Sequence, residues 1–109
     1  MAVKPNPSRE AVRAVVPRMI ELSETVIYGD IWERPGLSKR DRSLIVVAAL
    51  IACYRPEQLR GHLGRALDNG VSKDEIAEII THLAFYSGWP GSVTAARIAK
   101  EVYAERGLV

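Results

Sequence analysis

The sequence predicts an all-α domain of five to six helices, and three observations carry that expectation. Apolar residues recur three and four positions apart in successive segments, which lays them along one helix face each time. Helix starts and stops bound these segments, with Pro56 and Ser72 at starts and Gly70 and Gly107 at stops. No segment alternates apolar and polar residues long enough to form a strand. At 109 residues the chain reads as a single domain, 1-109, with a core of its own and some apolar surface that association would help to cover.

Met1 to Pro7 reads as a loose arm, because two prolines and an asparagine offer neither periodicity nor apolar mass. Ser8 is placed to cap a first short helix, with a break expected near Pro17. A second helix then carries Val16, Met19, Ile20, Ser23, Val26 and Ile27 at helical spacing. The stretch from Tyr28 to Leu37 stops it with two glycines and a proline, while Tyr28, Ile31 and Trp32 seek burial by packing onto the body of the protein. Trp32 is therefore a core plug first and a candidate substrate contact second.

Ser38 starts a central helix with Asp41 as capping-box partner. Its run from Leu44 to Cys53 is apolar on every side, which predicts a buried helix with Cys53 as a small buried residue at its end. Arg40 and Arg42 fall in the first turn, where the helix dipole disfavours cations. They are either solvated or held there by a carboxylate partner or an anionic ligand.

Pro56 to Pro90 reads as a helical hairpin that carries both histidines, His62 and His82. In its first helix Leu59, Leu63, Ala66 and Leu67 form an apolar stripe, and His62 falls within it, aimed at the core. The turn is Asn69-Gly70-Val71. Ser72 and Glu75 have the spacing of a capping box, with Val71 and Ile76 as its hydrophobic staple. Ile76, Ile79, Ile80, Leu83 and Ser87 mark one face of the second helix, and Glu78, His82 and Tyr86 line up on one ridge at its edge. In an antiparallel hairpin the two histidines differ in level by ~6 Å. They either border one pocket or face different neighbours. Gly88-Trp89-Pro90-Gly91 reads as a forced break, followed by a last helix from about Ser92 to Arg106 with Val93, Ala96, Ala99 or Ile98, Val102 and Tyr103 inward. Ala95, Ala96 and Ala99 let that helix approach a neighbour closely.

Composition excludes several function classes. The net charge of +2 comes from 15 basic and 13 acidic residues interspersed along the chain, which gives little support to nucleic-acid or anionic-membrane binding. A helix-turn-helix reading of Gly70 to Ala77 fails because the following helix is isoleucine-rich and has no basic face. The most hydrophobic run is ten residues, far short of the ~20 needed to span a bilayer. No export signal is visible, so a cytoplasmic location is expected. Cys53 is the only cysteine, which excludes an intrachain disulfide, a redox thiol pair and tetrathiolate zinc. A metal site from His62, His82 and Glu78 has weak support, because Glu78-x-x-x-His82 is the only such pair on one helix. No metal is expected.

Three pieces together resemble the carboxymuconolactone decarboxylase family: Gly29 to Leu37 followed by Arg42-Ser43-Leu44; Leu59 and His62 with Arg65 to Val71; and Glu75-Ile76 through His82 to Tyr86-Ser87-Gly88-Trp89-Pro90. The match runs from about Val26 to Arg106. The resemblance implies an all-α fold of the alkylhydroperoxidase D-like kind, assembled as a homo-oligomer, a ring-shaped hexamer or trimer of dimers. It also implies a cofactor-free decarboxylase that takes γ-carboxymuconolactone to the β-ketoadipate enol-lactone. The peroxidase relatives use Cys-x-x-Cys-x-x-x-His with an upstream glutamate. The histidine place is His62 here, but Arg55 and Gln58 hold the cysteine places and Ser43 the glutamate place, so thiol peroxidase activity is not expected. Trp89 stands where the pathway enzymes commonly carry a smaller aliphatic residue, which alters the pocket edge.

For such a reaction His62 is the first choice as general acid and His82 the second, with Glu78 as orienting partner and Tyr86 as a weaker donor. Arg40 or Arg42 would hold a substrate carboxylate, and Trp32 and Trp89 are candidate substrate-binding residues. The partner class is thus a small carboxylic acid or lactone. The alternatives are a tailoring enzyme on another ring substrate and a non-catalytic helical oligomer that binds a small ligand.

Overall fold

A computed structural model describes residues 7–108, so most of the expected arm lies outside the described residues. Those residues contain six α-helices and no strand. They divide into two compact units, one ending at Lys39 and the other starting at Arg40.

In the first unit α1 (Pro7–Val15) and α2 (Pro17–Leu22) are separated at Val16, where Pro17 both lacks an amide hydrogen and has the φ that opens a helix. A π-helical turn (Ser23–Ile27) extends α2, and a 3₁₀ turn (Ile31–Glu33) follows. Arg13 forks onto the Glu24 carboxylate at 2.8 and 3.3 Å and holds its pKa below the ordinary value, while Arg9 donates to Ser23 at 2.7 Å. Of the apolar positions assigned to the second helix, Ile20 is buried, but Val16, Met19, Val26 and Ile27 are exposed. The periodicity is real. This chain simply does not cover most of that stripe. Tyr28 and Trp32 are buried with ring centroids 6.0 Å apart, and Ile31 between them is exposed.

The second unit is built from α3 (Lys39–Ala52), α4 (Pro56–Asp68), α5 (Lys73–Tyr86) and α6 (Trp89–Glu105). α6 is the central element here, because both α4 and α5 pack on it. The Pro56–Pro90 segment therefore does not close as a simple hairpin on itself. Small side chains on α6 permit this arrangement: Ser92, Ala95 and Ala99 are buried, and the Ser92 hydroxyl donates to the Ile80 carbonyl of α5 at 2.8 Å. On the α4 side Arg106 forks onto Asp68 at 2.8 and 3.3 Å across the buried Gly64. A Cβ at Gly64 would lie 2.8 Å from that guanidinium.

Four corrections to the sequence reading follow. The inward face of α6 is Ser92, Ala95, Ile98, Ala99 and Val102, whereas Val93 and Ala96 are exposed. The helix also begins earlier, at Trp89, because Gly88 makes the break with φ +111° and Pro90 is tolerated in a first turn. α3 is buried along Ser43, Val47 and Ile51 only, and Ile45 is 55% exposed. Its apolar run has more surface than this unit covers. Cys53 is exposed, because α3 ends at Ala52 and the chain turns out through Tyr54 at φ +53°.

The α5 start forms as its sequence dictates. The Ser72 hydroxyl accepts from the Glu75 amide at 3.0 Å, the Glu75 carboxylate accepts from the Ser72 amide at 3.0 Å, and Val71 and Ile76 are buried as the staple. Ser72→Ala is expected to cost about 1 kcal/mol of stability. Urea unfolding checks it. Among the described residues no helix is long and apolar enough to cross a membrane.

Candidate functional site

Four turns of α5 set the positions of the candidate side chains. The capping box fixes where the helix starts, and Ile76, Ile79, Ile80 and Leu83 turn one face toward the core. Glu78, His82 and Tyr86 then fall four residues apart on an adjoining ridge. All three are exposed in the chain. The His82 and Tyr86 rings stack, with centroids 4.7 Å apart and planes 28° from parallel.

Glu78 and His82 open onto a recess of about 340 Å³, walled otherwise by Ala48 of α3 and by Ile79 and Leu83. A carboxylate and an imidazole thus share a cavity whose remaining lining is aliphatic. Both groups can carry protons, and they lie one helical turn apart. Sequence reasoning missed Ala48. It is one of two adjacent alanines in the α3 run, and nothing local tells which of them faces α5.

The other candidates are dispersed. His62 lies on α4 beside the buried stripe of Leu59, Leu63 and Ala66 and is itself only half-buried, so its ring flanks the core and is not sunk in it. It does not line the recess that His82 lines. Arg40 is held by a carboxylate, as one of the two sequence alternatives had it: its guanidinium pairs with Glu75, the capping-box residue, and lies 3.5 Å from Asp41. Arg42 is half-buried in the first turn of α3. Trp32 is 5% exposed within the first unit, where it serves as a plug beside Tyr28. Trp89 lines a second recess of about 200 Å³ with Ile80, Thr81, Ala84 and Val93, and its ring meets Phe85 edge-on at 6.0 Å. Ser43, at the peroxidase glutamate place, is buried and accepts from Asn69 at 3.0 Å, which ties the α4–α5 turn to α3.

These observations define an all-helical protein with a carboxylate and an imidazole lining one open recess. The chain belongs to the carboxymuconolactone decarboxylase family, whose pattern matches residues 17–101. It is similar to 4-carboxymuconolactone decarboxylase of Acinetobacter baylyi, 43% identical over 81 residues that cover 74% of this chain and 60% of that protein. It is also similar to nitrosuccinic acid decarboxylase npaB of Metarhizium robertsii, 33% identical over 74% of this chain and 57% of that protein. A third relative is an uncharacterized 15.0 kDa protein of Paracoccus denitrificans, 32% identical over 87% of this chain and 72% of its own length. The chain thus spans less than two thirds of the length of the two decarboxylases it matches.

Proposed function

We propose that this chain is a cofactor-free decarboxylase acting on γ-carboxymuconolactone or a related ring-derived acid, with His82 as the general acid. The observation that carries the reading is the recess shared by Glu78 and His82 in a chain whose two named relatives are both decarboxylases. The sequence puts His62 first for this role. The recess favours His82, which shares it with a carboxylate one helical turn away.

The chemistry asks three things of the protein. The bond from the carboxylate carbon to the ring breaks, carbon dioxide leaves, and the electron pair passes into the conjugated carbonyl system. The His82 imidazolium then gives its proton to the carbon that must be quenched, and the neutral imidazole regains a proton from water. Glu78 lies one helical turn before His82 in the same recess, and Ala48, Ile79 and Leu83 give the rest of the lining an aliphatic surface for the substrate ring. Arg40 or Arg42, in the first turn of α3, holds a carboxylate that stays on the substrate. The protein acts as a homo-oligomer, a reading that the exposed Val15 and Met19 of the first unit support.

The test follows γ-carboxymuconolactone by ultraviolet absorbance in buffer with a metal chelator. The expected result is turnover by the wild-type protein, unaffected by chelation. Failure to turn over this lactone or related ring acids would overturn the proposal in favour of a ligand-binding oligomer.

A further inference from the structure

We infer that Tyr86 is a positioning residue for His82, acting through the face of its ring and not through its hydroxyl. The two rings lie one helical turn apart and stack at 4.7 Å with 28° between their planes. A phenol hydroxyl lies in the plane of its own ring. In such a stack it points past the imidazole, so the group that meets His82 is the π-face. That face carries partial negative charge and favours an imidazolium over a neutral imidazole.

Tyr86 is 77% exposed and contributes nothing to the core, so burial gives it no other task. The Phe85–Trp89 edge pair beside it shows that an aromatic side chain on this helix end also finds other partners, yet Tyr86 lies on His82. Two groups on α5 flank His82: Glu78, from the preceding turn, lines the same recess, and Tyr86, from the following turn, lays its ring against the imidazole. α3 contributes the uncharged Ala48 to the recess, and Ile79 and Leu83 complete its lining without charge. The stack also leaves His82 one free ring face and restricts its side-chain rotation. An acid that must meet a carbon centre in one geometry gains from that restriction. The catalytic consequence rests on the proposed decarboxylase reading, whereas the ring contact itself does not.

The experiment titrates the imidazole by NMR in the wild-type protein, Tyr86→Phe and Tyr86→Leu. The chain has two histidines, so His62→Gln suffices to assign the signals. Tyr86→Leu is expected to lower the His82 pKa by about half a unit, which corresponds to about 0.7 kcal/mol, and Tyr86→Phe to restore it. In turnover the leucine variant is expected to lose about tenfold in kcat with KM little changed, and phenylalanine to recover most of that loss. An unchanged titration in Tyr86→Leu would overturn the inference, and so would a Tyr86→Phe variant as impaired as the leucine one, which would return the role to the hydroxyl. The titration needs no substrate, so failure of the decarboxylase reading is told apart from failure of the stack.

Discussion

His82→Gln is expected to reduce kcat for decarboxylation by about 10²–10⁴-fold, the range that a positioned general acid supplies. Glutamine keeps the length and much of the hydrogen-bonding capacity of the side chain but has no proton to give at neutral pH. The loss should fall on kcat, because a proton donor acts in the transition state and contributes little to holding the ground state. Folding should be unaffected. His82 is exposed, and α5 is anchored by the buried Ile76 and by its capping box, neither of which the substitution touches. Stopped assays of His82→Gln and His62→Gln in parallel, with circular dichroism melts of both, provide the check. A full loss in His62→Gln with normal turnover in His82→Gln would place the acid on α4.

How far the site was legible depended on whether its determinants were local. Glu78, His82 and Tyr86 were placed on one ridge from spacing alone, and the structure puts them there because a capped helix has no freedom to do otherwise. The capping box and its staple were equally legible, since all four residues lie within six positions of one another. The relation of His62 to His82 was not. It depends on which helix lies next to which, and a four-residue pattern does not encode that α4 and α5 both pack on α6. Ala48 was invisible for the same reason: it reaches the recess from another helix.

The errors in the fold have a common physical source. The phase of α6 was misjudged because hydropathy ranks a stripe of Val93 and Ala96 above one of Ser92 and Ala95, although the latter is the buried one. What decides is closeness of approach. Serine and alanine let two helices come near at once, and the serine hydroxyl finds a carbonyl on α5. Ile45 and the second-helix residues Met19 and Val26 illustrate the converse. Their periodicity predicts a covered face, but periodicity does not say which chain does the covering.

Leu63→Ala is expected to cost about 3–5 kcal/mol, toward the upper part of the range for a buried leucine. Leu63 is 0% exposed, and its neighbours in the core include Ala66, Ala95 and Ala99. A methyl group cannot swing into the space that a lost isobutyl group leaves. The cavity therefore persists, and the surrounding contacts are lost rather than redistributed. Against the 5–15 kcal/mol typical of a domain, such a loss threatens the folded state itself. Val93→Ala serves as the comparison, because Val93 is 37% exposed on the outward face of α6 and should cost well under the leucine change. Urea unfolding of both variants with an unchanged m-value measures the difference. If Val93→Ala proved the costlier of the two, the inward face of α6 would have to be the one hydropathy first suggested, and its packing against α4 and α5 through Ser92, Ala95 and Ala99 would be wrong.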